Sequence, residues 1–262
     1  MNEKNGAFPN GLEAVWLVIA MMMAEWLVCA ALHDMRGVLS LAPDEVSALI
    51  MVLGNAIVFT GLMHYKGLGY RSLFHASPSS MASIVLMLFP AIALTIPCVF
   101  LFSSLVYQVT VSMFPLSAYE IAMFAYMDSG ALGMTIAICI LAPVLEEMLF
   151  RGIILRSFLQ QYERWPAIAG SAALFGFAHM NLYQYVSATI MGMFLGWLYE
   201  RTRSLLPCIA LHAAYNTICV MASASRLDNG TGEFPVAFWP VALLLGLAGF
   251  SMLRRMLVAP AR

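Results

Sequence analysis

Apolar segments of roughly 20 residues recur along the whole chain, and this recurrence limits the folds open to it. Eight segments are predicted to form helices, at residues 13–33, 45–65, 81–107, 130–161, 165–180, 182–200, 205–222 and 234–257. A helix of about 20 apolar residues matches the hydrocarbon thickness of a bilayer. Charged residues make up 10% of the sequence, against about 25% in soluble domains. The sequence therefore predicts an all-α, polytopic transmembrane helix bundle of about eight spanning helices.

No repeat, low-complexity tract or linker divides the chain, so residues 1–262 are expected to form a single transmembrane domain. The stretch Tyr119–Tyr126 is expected to lie in the membrane interface. Pro90 and Pro97 fall inside the third predicted helix and are expected to bend it. The first apolar run has no net positive segment before it, and we interpret it as a retained helix rather than a signal peptide.

Basic residues are distributed unequally between the two sides of the predicted bundle. If the N-terminus is cytoplasmic, the cytoplasmic segments hold Lys4, Lys66, Arg71, Arg156, Arg164, Arg201, Arg203, Arg254, Arg255 and Arg262. The other side holds Arg36 and Arg226, together with Asp34, Asp44, Glu45, Glu120, Asp128, Asp228 and Glu233. The positive-inside rule then predicts a multi-pass protein with both termini cytoplasmic. The expected location is a bacterial or archaeal plasma membrane. The net charge of −1 suggests no nucleic-acid partner.

Three short polar motifs lie in otherwise apolar predicted helices. They are Leu145-Glu146-Glu147-Met148-Leu149-Phe150-Arg151-Gly152, Phe175-Gly176-Phe177-Ala178-His179 and His212-Ala213-Ala214-Tyr215-Asn216. Ionisable groups are costly inside a bilayer, so each one is a candidate functional residue. Glu25, inside the first apolar run, is a further intramembrane acid that could snorkel, pair with another helix or line a cavity.

The first motif contains two adjacent glutamates that are expected to have different roles. Glu147 and Arg151 are four residues apart, so they are expected to pair on one helical face in a structural role. Glu146 lies about 100° away around the helix axis and cannot share that pairing comfortably. It is expected to point into a wet cavity as a free carboxylate, which suits a general base.

Helix rise places the three candidate proton-transfer groups at similar depth. Glu146 precedes the turn near residues 163–165 by about 17 residues and His179 follows it by about 15, so both lie about 25 Å from that turn. His212 lies ~13 Å from the next cytoplasmic turn. If the polar segment Arg156–Arg164 projects roughly 10 Å into the cytoplasm, the three side chains converge below the cytoplasmic face.

The chemistry that suits these groups is water activation. A carboxylate and an imidazole can together deprotonate a water for attack on an amide carbonyl, while a second imidazole and a carboxamide donate hydrogen bonds to the oxyanion. No serine or cysteine nucleophile with a nearby base is apparent, and no H-E-x-x-H zinc signature is present.

The motifs Glu-Glu-x-x-x-Arg, Phe-x-x-x-His and His-x-x-x-Asn, in this order on three apolar helices, resemble those of the CAAX-protease and bacteriocin-processing (CPBP, or Abi) family, which includes the Ras-converting CAAX prenyl endopeptidases. The resemblance implies an intramembrane endopeptidase with its catalytic core at about 130–222. It implies that Glu146 activates water with help from His179, and that His212 and Asn216 form the oxyanion hole. Glu147, Arg151 and Phe175 would support the site.

The resemblance leaves the cofactor open between two mechanisms. A glutamate-type mechanism needs no metal, and this is the one expected. In the alternative, Glu146, His179 and His212 would ligate zinc, with water as fourth ligand.

Three functions fit the sequence. The first is a peptidase whose peptide or protein substrate enters from the membrane or the cytoplasm. The second is a non-proteolytic member of the same family that regulates a membrane partner. The third is a proton-coupled transporter, which would predict internal symmetry between the halves, and no paired motif is seen.

Overall fold

Helices form almost all of the regular structure in the computed structural model, which describes residues 7–67, 69–77, 79–225 and 236–257. In these ranges the elements are α1 (Gly11–Asp34), α2 (Pro43–Lys66), α3 (Tyr70–Phe74), α4 (Met81–Met113), α5 (Ala118–Met127), α6 (Leu132–Gln161), α7 (Arg164–Ala178), α8 (Leu182–Thr202), α9 (Leu206–Ser225) and α10 (Phe238–Leu257). A short 3-10 turn follows α1, and one isolated bridge joins His75 to Ser204. The described residues contain no β-strand, and the fold is an all-α polytopic bundle.

Each of the eight predicted apolar segments forms a helix, and Tyr119–Tyr126 lies within α5. Within the described ranges, six helices are long and apolar enough to cross a membrane, namely α1, α2, α4, α6, α9 and α10. The chain is therefore an integral membrane protein. α7 and α8 are not among the six. α7 has 15 residues, about 22 Å of helix against a hydrocarbon core of about 30 Å, and α8 has polar residues near both ends.

The difference between six and eight helices leaves the predicted orientation unaffected. α7 and α8 are consecutive, so counting or omitting both preserves an even number of spans. Pro90 and Pro97 lie inside α4, which continues through both of them.

Segments predicted to be cytoplasmic meet at one end of the bundle. The hydrogen bonds that join them include Gln161 to the Pro9 carbonyl, Arg156 to the Ser72 carbonyl, and the Ala76 N–H to the Arg203 carbonyl. Segments predicted on the other side are joined by the bonds from Gly133 to Asp44 and from Ser223 to Asp128. Lys4, Arg226, Asp228, Glu233 and Arg262 lie outside the described residues.

A proline shapes the middle of α6. The ring of Pro143 would clash with the carbonyl four residues earlier in a regular α-helix, and its nitrogen has no hydrogen to donate. The preceding turn, Ala137–Leu141, is π-helical, and the Ala142 N–H donates to the carbonyl of Ala137, five residues back. A second π-helical segment covers Met148–Leu155. The two glutamates of the first motif therefore end a short α-helical segment between two π segments, a type of irregularity that is frequent at functional sites.

Glycines let α7 and α8 approach closely. A Cβ built on Gly176 would press on the Tyr185 carbonyl oxygen at 2.6 Å and on the Thr189 hydroxyl. A Cβ on Gly192 would lie 3.0 Å from the Ala172 backbone. Small residues allow such backbone contact between membrane helices. The contact holds the second motif, at the end of α7, against the middle of α8.

The close contact at Gly176 predicts a loss of stability on adding one methyl group. Gly176→Ala should lower the melting temperature in detergent, because overpacking against backbone costs about 1–3 kcal/mol. Gly61→Ala is the matched control, since a Cβ at Gly61 meets nothing within 4 Å. If the two variants melt at the same temperature, the close α7–α8 contact is wrong.

The positive-inside asymmetry predicts labelling from opposite sides. In a background without native cysteines, cysteines placed at Ser72 and Arg203 should react with an impermeant maleimide only from the cytoplasmic side. A cysteine at Asp128 should react only from the other side. Cytoplasmic labelling of all three positions would contradict the predicted orientation.

Candidate active site

One buried carboxylate oxygen joins two of the three motifs. Oε1 of Glu147 accepts a hydrogen bond from Arg151 Nη1 at 2.8 Å and another from His212 Nδ1 at 2.9 Å. Glu147 and Arg151 are fully buried, and His212 is 4% exposed. The predicted pairing of Glu147 with Arg151 forms, and His212 is a further partner that helical spacing did not indicate. Since a carboxylate oxygen accepts, the bond assigns the hydrogen of the neutral His212 ring to Nδ1.

The second nitrogen of His212 faces the other glutamate. His212 Nε2 lies 3.7 Å from Glu146 Oε2, beyond a direct hydrogen bond. The side chain of Glu146 is 31% exposed, whereas that of Glu147 is buried. The imidazole thus stands between two adjacent carboxylates in different surroundings, and Glu146 is the accessible one.

Arg151 makes two further contacts. Its Nη2 donates to the Gly192 carbonyl at 3.2 Å, and its guanidinium lies 4.5 Å above the centre of the Phe175 ring. These contacts, with the bond to Glu147, tie α6 to α7 and α8. Arg151 therefore binds the buried carboxylate of Glu147, and among the described contacts it makes no bond to the accessible Glu146.

Both histidines pack against the same aromatic ring. The rings of His179 and His212 lie 5.2 Å and 5.7 Å from the Phe175 ring, each nearly perpendicular to it. His179 Nδ1 donates to the Phe175 carbonyl at 3.0 Å, which leaves Nε2 as an acceptor in the neutral ring. Phe175 is buried and contacts both imidazoles. No direct bond joins His179 to Glu146 among the described contacts.

The side chain of Asn216 is hydrogen-bonded to the backbone of α6. Its Nδ2 donates to the Ile138 carbonyl at 2.9 Å, in the first π turn. One of its two N–H groups is therefore occupied by the protein. His212 lies one helical turn earlier on the same face of α9, so the bond attaches α9 to α6 beside the His212–Glu147 contact.

Glu25 is a site residue whose role the sequence left open. Its Oε1 accepts a hydrogen bond from Asn55 of α2 at 2.9 Å, and its charge interacts with that of Glu146. Gly54 leaves room for it, since a Cβ there would lie 2.5 Å from Glu25 Cγ. Asn55 was missed, although a polar residue inside an apolar helix is a recognisable signal.

Helix rise places Glu25 at a depth similar to that of Glu146. The Gly11 N–H donates to the Tyr162 hydroxyl at 3.0 Å, so the start of α1 lies beside the end of α6. Glu25 lies about 14 residues along α1 and Glu146 about 16 residues back along α6, which gives roughly 21 Å and 24 Å from that contact.

The zinc alternative requires Glu146, His179 and His212 to converge on one point. Among the described residues, no three His, Cys, Asp or Glu side chains come together as a metal-binding group. Zinc ligands must approach to about 2.0–2.2 Å of one point. His212 directs one nitrogen to Glu147 and the other towards Glu146, and His179 packs on the Phe175 ring. No chemical step below passes through a metal.

Comparison with known proteins places the three motifs in a family. The sequence model of the type II CAAX prenyl endopeptidase Rce1-like family matches residues 128–218. "Putative membrane peptidase YdiL" of Bacillus subtilis (strain 168) is 31% identical over 96 residues, which cover 37% of this chain and 39% of that protein. No solved structure matches the chain.

The matched range begins just before α6 and ends within α9, so it contains all three polar motifs. Residues 128–218 are therefore similar to the Rce1-like CAAX prenyl endopeptidase family and, in part, to a putative membrane peptidase.

Proposed function

We propose that this protein is an intramembrane endopeptidase that hydrolyses a peptide bond with a water activated by Glu146 and His179. The substrate is a peptide or a segment of a membrane-associated protein, and it enters from the membrane or the cytoplasm. The observation that supports the proposal best is the His212 imidazole, which stands between a buried and an accessible glutamate. This pairing supplies both a base and a charged hydrogen-bond donor at one point.

Glu146 and His179 would act on the attacking water. Glu146 is the accessible carboxylate and takes a proton as the water oxygen bonds to the carbonyl carbon. His179 offers an unprotonated Nε2, because its Nδ1–H is held by the Phe175 carbonyl. It can orient the water by accepting its second hydrogen. When the C–N bond breaks, the protonated Glu146 returns the proton to the leaving amine.

His212 would stabilise the oxyanion. In its imidazolium form it donates from Nδ1 to Glu147 and from Nε2 towards the side on which Glu146 lies. A carboxylate behind an imidazole fixes the ring and favours its charged form. With His212 charged, two carboxylates balance one imidazolium and the Arg151 guanidinium, so the cluster is neutral. A preoriented charged donor away from bulk water is an effective stabiliser of developing negative charge.

The coarse location of the reaction follows from helix length. Glu146 lies about 15 residues from the end of α6, roughly 22 Å along the helix axis. That end carries the predicted cytoplasmic segments. We therefore infer that cleavage takes place within the membrane and is reached from the cytoplasmic half.

Loss of the Glu146 carboxylate should abolish turnover and leave the fold intact. Glu146→Gln keeps the size of the side chain but removes the proton acceptor, and loss of a general base typically lowers the rate about 10²–10⁴-fold. The assay is cleavage of a pooled peptide library in proteoliposomes, followed by mass spectrometry. The melting temperature should stay near that of the unmodified protein.

Glu163→Gln is the matched control for that variant, because Glu163 is an exposed glutamate in the turn before α7. Equal cleavage by the Glu146 and Glu163 variants would show that Glu146 is not the base. If the unmodified protein inserts and folds but cleaves no peptide, the result would instead favour the regulator or transporter interpretations.

Glu147 should behave differently from Glu146, because it holds a buried cation. Glu147→Gln leaves the Arg151 guanidinium without its carboxylate, and an uncompensated buried charge costs about 3–5 kcal/mol. The variant should therefore melt at a lower temperature in detergent as well as lose activity. The double variant Glu147→Gln/Arg151→Met should regain part of the stability but no activity, since His212 still lacks its carboxylate. A stable, inactive Glu147→Gln beside an unstable Glu146→Gln would reverse the two assignments.

A further inference from the structure

The carbonyl of Ile138 has lost both of its donors within α6. In a regular α-helix it would accept from the Ala142 N–H, but that N–H donates to Ala137. In a π turn it would accept from the residue five positions on, which is Pro143, and proline has no N–H. The Asn216 amide supplies a donor from another helix, at 2.9 Å.

An unpartnered carbonyl is unfavourable in a membrane interior, where no bulk water can satisfy it. The hydrogen bond from Asn216 on α9 thus replaces the one that Pro143 removes from α6. It lies close to the reacting groups along both helices. Glu146 is three residues after Pro143, and His212 is four residues before Asn216.

We propose that Asn216 is a positioning residue, which replaces the hydrogen bond that Pro143 removes from α6 and so sets His212 against Glu146. The activity part of this proposal rests on the proposed peptidase function, while the stability part does not. The resemblance to the CPBP family implied instead that Asn216 donates directly to the oxyanion. The two roles differ in whether the effect of Asn216 depends on Pro143.

A double-mutant cycle separates the two roles. The variants are Pro143→Ala, Asn216→Ala and their combination, each compared with its own background. Alanine at position 143 returns an N–H to α6, so the Ile138 carbonyl regains a donor inside its own helix. A positioning role predicts that Asn216→Ala lowers kcat about tenfold or more with little change in KM, and that Pro143→Ala relieves most of this loss. Pro90→Ala is the control, because it removes a helix-interior proline from α4 instead of α6 and should relieve nothing.

The melting temperature in detergent gives an independent measure of the same coupling. Asn216→Ala should lower it in the native background and lower it less beside Pro143→Ala. Equal losses of kcat in both backgrounds, or losses of melting temperature that simply add, would overturn the proposal and favour direct donation to the oxyanion. If Asn216→Ala does not fold, the combined variant should fold, and failure of both to fold also overturns it. If the protein cleaves no peptide but the melting temperatures still show coupling between positions 143 and 216, the positioning bond stands. Only the proposed peptidase function is then rejected.

Discussion

The site depends on one buried carboxylate oxygen that accepts hydrogen bonds from two groups, a guanidinium and an imidazole. Glu147 Oε1 binds Arg151 within its own helix and His212 from α9. A guanidinium cannot stay unpaired in an apolar interior, and desolvated charges persist only with partners and further hydrogen bonds. Arg151 meets this demand with Glu147, the Gly192 carbonyl and the Phe175 ring. The need to satisfy one cation thus draws α7, α8 and α9 around α6.

The same constraint gives the two histidines different tasks. His212 is oriented by a carboxylate, while His179 is oriented by the neutral carbonyl of Phe175. In the proposed mechanism the first ring donates to negative charge and the second accepts from water. Phe175 packs on both rings.

The site also extends beyond the range that resembles known peptidases. Glu25 of α1 and Asn55 of α2 lie outside residues 128–218, yet Glu25 interacts with the charge of Glu146. Gly54 allows the two helices to meet at that level. The hydrogen bond between Glu25 and Asn55 therefore joins α1 to α2 at about the depth of the proposed base.

The sequence by itself determined the helices and the contacts within each of them. Apolar length sets the segments, and spacing of four residues pairs Glu147 with Arg151, because helix rise and turn angle are nearly constant. The tertiary structure alone decided which helices share those groups. It brought His212 to both glutamates, joined Asn216 to the Ile138 carbonyl and joined Glu25 to Asn55. These contacts depend on how each helix is rotated against its neighbours, and the π turns near Pro143 change that rotation in a way that regular helical spacing does not contain.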